Sequence, residues 1–83
     1  MRQVVTAASQ VGEIVRARRK AHKLSQAALA ARLGISQSRL SVMEQNPQTL
    51  TLDRLISLFN VLGLSLVLQD NPAREPKKSD PAW

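Results

Sequence analysis

The chain has 83 residues and a formal charge of +6, enough for one small domain and not for a second, with a basic excess that suits a polyanionic partner. Its 43% hydrophobic content, with one Phe, one Trp and no Tyr, describes an aliphatic core and favours short helices over a β-sandwich. The lack of cysteine excludes a disulfide framework, a thiolate zinc site and a cysteine nucleophile, and without a long apolar run for a leader or membrane helix the expected location is cytoplasmic, with no membrane partner.

The charge is unevenly placed. Residues 1–23 set Arg2, Arg16, Arg18, Arg19, Lys20 and Lys23 against Glu13, residues 24–70 balance, and residues 71–83 hold a small basic excess. The sequence therefore divides into an arm over 1–8, a domain over 9–70 and a tail over 71–83. With Pro72, Pro76 and Pro81 and mixed charges, the tail lacks the apolar surface to fold and is expected to be disordered when free.

Four helices are predicted in the domain. Ser9 is placed as the cap of the first, with Val11, Ile14 and Val15 on one face and Gly12 a weak point inside it. Ser25 caps a second, Gln26 to Leu33, whose Ala27, Ala30 and Ala31 allow a close helix neighbour and whose Leu29 and Leu33 mark the buried side; Gly34 stops it. Ser36 caps a third, Gln37 to Gln45, burying Leu40 and Met43, and Asn46, which tolerates a left-handed conformation, ends it with Pro47. Thr51 caps a fourth, with Asp53 in its first turn and an apolar stripe of Leu52, Leu55, Ile56, Phe59 and Leu62 closed by Gly63.

Beyond Gly63 the period changes to two: Leu64, Leu66 and Leu68 alternate with Ser65, Val67 and Gln69, the pattern of one strand. A single strand needs a partner. Either Val4 and Val5 pair with it, or the same strand of a second copy does so antiparallel across a two-fold axis; the second is preferred, because a shared ribbon enlarges a small core.

Helix, sharp turn and helix, with alanine in the first and glycine in the turn, is the helix-turn-helix arrangement. From Ser25 to Glu44 the chain reads SQAALAARLGISQSRLSVME, which resembles the phage-repressor and Cro-like (XRE) helix-turn-helix family over its Ser-Gln, Leu-Ala, Leu-Gly-Ile-Ser and final Glu. The resemblance runs from about Ser9 to Gln69 and implies an all-α, lambda-repressor-like bundle of four to five helices with one C-terminal strand in a dimer. Within that family the Leu-rich strand, the Asn-Pro after the third helix and the terminal Trp83 resemble HipB-type antitoxins. This implies a homodimer that binds a palindromic double-stranded operator, represses its own operon in the nucleoid and holds a HipA-like Ser/Thr kinase toxin.

On that resemblance Gln26 reaches a phosphate and buttresses the third helix, while Ser36, Gln37, Ser38, Arg39 and Ser41 face DNA. Gln37 offers the donor and acceptor pair that adenine requires. Arg16, Lys20, Lys23 and Arg32 add sequence-independent attraction to phosphates. Arg19 and Glu44 are implied to form a structural ion pair between the first and third helices. Leu64, Leu66 and Leu68 are assigned to dimerisation, and Trp83, with no other large apolar side chain in the tail, to a pocket on the protein partner. His22 and Met43 carry no functional signal. A lone His without Cys or a carboxylate cluster supports no metal, no cofactor and no acid–base pair, so no enzymatic activity is expected. Two other readings stay open: a free-standing phage-repressor-type regulator with no toxin, and a protein-interaction module on the same scaffold, against which the basic first helix and polar third helix argue.

Overall fold

The computed structural model describes residues 2–72; the tail beyond them, including Trp83, lies outside the described residues. Four α-helices follow in chain order, α1 (Ala8–Ala21), α2 (Gln26–Leu33), α3 (Gln37–Gln45) and α4 (Leu52–Val61), with a short 3-10 turn, Pro47–Thr49, between the last two. Among the described residues there is no strand, and no helix is long and apolar enough to cross a membrane.

Local chemistry sets most of these boundaries. The hydroxyls of Ser25, Ser36 and Thr51 each accept the amide three residues on, from Ala28, Arg39 and Arg54, as N-caps do. The first helix starts differently. Its N-cap is Ala7, with Ser9 inside the first turn, because the Gln10 side chain reaches back to accept from the amides of Thr6 and Ala7 at 2.7 and 2.9 Å. That is the glutamine half of a capping box, and it makes a hydroxyl at position 9 unnecessary.

Three helices end in the same paired motif. At Gly34, φ is 70°, and the amides of Gly34 and Ile35 bond back to Ala31 and Ala30, the Schellman arrangement. Leu64 after Gly63 bonds to Phe59 likewise, and Leu24 bonds to Arg19. The residue after each left-handed position, Leu24, Ile35 and Leu64, then packs against the core. On α1 the left-handed position falls to Lys23, with φ 56°. Asn46 and Pro47 end α3 as expected, without use of the left-handed conformation that Asn46 tolerates: its φ is −129° and ψ 64°, since the following Pro47 disfavours the helical region and directs the chain into the 3-10 turn.

The core consists of Val15, Leu29, Ala30, Leu40, Met43, Leu58, Phe59 and Leu62, drawn from all four helices, with α3 packed against both α1 and α2. Two expectations about it need correction. On α4 the buried stripe is Leu58, Phe59 and Leu62, while Leu52 and Ile56 are 63% and 40% exposed; the helix is turned so that Leu58, unassigned in the sequence, points inward. On α2 only Ala30 is buried among the three alanines, Ala27 and Ala31 being exposed. Gly12 is more than a weak point: a Cβ there would lie 2.2 Å from the Glu44 carbonyl oxygen, so glycine is what lets α1 cross the end of α3 at this distance.

The alternating segment after Gly63 forms no ladder among the described residues. Leu64 is half-buried on its own core, whereas Leu66, Val67 and Leu68 are 48%, 77% and 91% exposed. Val4 and Val5 do not pair with it. The arm instead folds back along α1, with Gln3 lining a groove beside Glu13, Ile14 and Ala17, and meets the segment through the Arg2 guanidinium, which donates to the Gln69 side-chain oxygen.

Candidate nucleic-acid interface

The orientation of α3 is set by one buried carboxylate. Glu44, near the end of the helix, is 4% exposed, and Arg19, from the last turn of α1, is 9% exposed. Arg19 donates from Nε to Glu44 Oε2 at 2.9 Å and from Nη2 to Oε1 at 3.2 Å, the two-point geometry that a planar guanidinium offers a carboxylate. Its Nη1 donates to the Leu24 carbonyl at 3.0 Å, so the turn into α2 is held by the same side chain. Gln26, the first residue of α2, donates to Glu44 Oε1 at 3.3 Å, and Arg16 Nε stands 3.8 Å from the same oxygen. One side chain of α3 is thus tied to α1 twice and to α2 once.

This arrangement distributes the basic residues of α1 more finely than their sequence suggests. Arg19 is buried, and Arg16, with 43% of its side chain exposed, leans on Glu44. Arg18 donates from Nε to the Leu62 carbonyl at 3.3 Å, and His22 Nε2 lies 3.1 Å from that oxygen. The C-terminal end of α4 is therefore capped by one side chain of α1 and one from the residue that follows it, a role that nothing in the sequence assigned to His22. Lys20 and Lys23 are exposed, as are Arg32 on α2 and Arg39 on α3.

The outward side of α3 is mainly polar. Gln37, Ser38 and Arg39 are exposed and Ser41 is half-buried, while Leu40, Met43 and Glu44 face inward. The Ser36 oxygen accepts the Arg39 amide at 3.1 Å, which leaves its hydroxyl hydrogen as a donor to an outside acceptor. Gln26 turns its side-chain amide to Glu44 from the start of α2. Two residues of this surface were missed by sequence reasoning. Val42 is 51% exposed and Gln45 is exposed beside it; helical spacing from Ser38 would have placed both on the same side. Among the described residues no three His, Asp or Glu side chains are grouped to hold a metal ion.

Comparison with known proteins places this geometry in a family. Residues 15–69 match the helix-turn-helix family, a span that includes all of α2 and α3 and both partners of the ion pair. No match was found among curated proteins. Among solved structures, HipB in an O2 20mer complex is 30% identical, with a TM-score of 0.76 over 84% of this chain and 97% of that one. HipB in a HipA–HipB–O2–O3 complex is 29% identical, with a TM-score of 0.75 over 83% and 97%. The cobalt form of HppE in complex with substrate is 34% identical with a TM-score of 0.66 over 72% of this chain, but this chain spans only 34% of that protein. The likeness to HppE is confined to one part of it, whereas the HipB chains are matched almost end to end. The chain belongs to the helix-turn-helix family, of XRE type, whose members are DNA-binding regulators, and it stands among the HipB-like proteins of that family.

Proposed function

We propose that the protein is a sequence-specific repressor that binds a palindromic operator as a homodimer through α3, and that it is the antitoxin of a HipA-like Ser/Thr kinase toxin. The observation that carries the DNA-binding part is the polar outward side of α3, tied by Glu44 to α1 and α2, with the exposed Lys20 and Lys23 at the end of α1 and in the turn after it. In this reading Gln37 reads a base, Ser36, Ser38, Arg39 and Ser41 contact bases or phosphates, and Lys20, Lys23 and Arg16 supply salt-dependent attraction. Gln26, bonded to Glu44, approaches the phosphate next to the start of α2 and couples that contact to the angle of α3.

The homodimer follows from the apolar surface left over. Leu66 and Leu68 are 48% and 91% exposed, and pairing of residues 64–68 with the same segment of a second copy satisfies both their backbone and their side chains. Two recognition helices related in this way meet successive major grooves about 34 Å apart. The toxin is proposed from the likeness to HipB, which occurs in complex with HipA, and Trp83 is proposed as the anchor on that partner.

The test of DNA reading is Gln37→Ala. Affinity for the selected operator falls by roughly 1 to 3 kcal/mol while affinity for random duplex stays nearly constant, because a base contact is lost and no phosphate contact is. An equal loss on both kinds of DNA refutes the assignment. A HipA-type kinase that fails to bind the purified dimer leaves the free-standing regulator as the function.

A further inference from the structure

The outward side of α3 carries one side chain that a polar reading of it leaves unused. With about 100° of turn per residue, the helix directs Leu40, Met43 and Glu44 to the core and sets Ser38, Val42 and Gln45 opposite them. Val42 is 51% exposed. A β-branched residue in a helix is restricted essentially to one χ1 rotamer, so its two methyl groups are presented to solvent in a fixed place. Burying them in the fold would have been favourable, and leaving them out adds nothing to stability.

A second feature lies at the same place. Val42 forms one wall of a cleft of about 210 Å³ whose other walls include Arg39, Thr49, Leu50, Thr51 and Arg54. The cleft thus combines an apolar wall with guanidinium groups from α3 and from the first turn of α4. An occupant that suits it has a small apolar group next to anionic charge. In the major groove the apolar group on a base edge is the 5-methyl of thymine, and phosphates flank it on the backbone.

We propose that Val42 is a specificity-determining residue that reads the 5-methyl group of one thymine in each half-site, with Arg39 and Arg54 attracting the phosphates on either side. The inference rests on the DNA-binding function proposed above and adds to it a required base. It also divides the labour on α3: Gln37 reads by hydrogen bonding, Val42 by apolar contact, and the serines fill the spaces between.

The experiment starts from a randomised 20-base-pair duplex pool, from which the full chain selects its site. Each thymine of that site is then replaced singly by uracil, which removes the methyl group alone. At one thymine in each half-site, uracil weakens binding by about fourfold, the worth of one buried methyl-sized group, and by about fifteenfold when both half-sites are changed. The Val42→Ala variant, with a melting temperature near that of the parent because the side chain is exposed, binds the thymine and uracil duplexes equally. Uracil that is harmless at every position overturns the proposal, as does a uracil penalty that persists in Val42→Ala. A pool that yields no enriched sequence overturns the DNA-reading function and this inference together, whereas enrichment without a methyl effect overturns this inference alone.

Discussion

Loss of Glu44 is expected to be more damaging than loss of its principal partner, and the structure gives the reason. Glu44→Ala leaves the buried Arg19 guanidinium with the Leu24 carbonyl as its remaining bond, and Arg16, formerly beside Glu44, becomes an uncompensated like charge. Removing one member of a buried pair costs about 3 to 5 kcal/mol, and at about 4 °C or more per kcal/mol for a domain of this size the melting temperature drops by at least ~12 °C. Arg19→Met is milder, about 2 kcal/mol, because Arg16 at 3.8 Å can close on the carboxylate and Gln26 already donates to it. Combining Arg19→Met with Glu44→Ala removes the uncompensated charge, so the coupling energy exceeds about 2 kcal/mol and the double variant is more stable than Glu44→Ala alone. A double-mutant cycle on urea and thermal unfolding measures all three. Additive losses, or an Arg19 variant less stable than the Glu44 variant, refute both the pairing and the reserve role of Arg16.

Gly12→Ala raises intrinsic helix propensity by about 1 kcal/mol, yet its Cβ would meet the Glu44 carbonyl oxygen at 2.2 Å; net destabilisation of about 1 to 3 kcal/mol is expected, and a higher melting temperature would show that α1 and α3 do not cross there. Lys23→Gly relieves the left-handed backbone at φ 56° and is expected to stabilise by about 0.5 to 1 kcal/mol, while lowering the salt dependence of DNA binding if the Lys23 ammonium meets a phosphate; an unchanged or lower melting temperature counts against the first part. Leu66→Asp places a charge in the proposed ribbon, so sedimentation gives a monomer with much weaker operator binding, and an unchanged dimer moves the interface elsewhere.

The short-range features of this protein were legible in its sequence because they depend on neighbours a few residues apart. Ser25, Ser36 and Thr51 cap the helices they precede, and Gly34 ends α2, through bonds that span three to five residues. The bounds of α2 and α3 therefore match expectation, and so does the helix-turn-helix they form. At α1 the same local logic chose the wrong residue, Ser9 in place of Ala7, because a glutamine side chain reaching backwards competes with a hydroxyl and periodicity does not reveal which wins.

What the tertiary structure decided involves residues far apart in the chain. The turn of α4 that buries Leu58 and exposes Leu52 and Ile56 is set by packing against the other helices, and an all-apolar stretch of sequence fits either rotation. Gly12 gains its meaning only when α1 lies across the Glu44 carbonyl, and His22 only when the end of α4 comes within reach. The alternation after Gly63 is a property of the sequence, but a strand requires a second backbone to bond to, and the described residues supply none. Sequence by itself determined the helices, the caps of α2, α3 and α4 and the polar character of α3; the angle between those helices, and hence which side chains reach a common surface, came from the buried contact of Arg19 with Glu44 and the close crossing at Gly12, because such contacts are made only once the chain has folded.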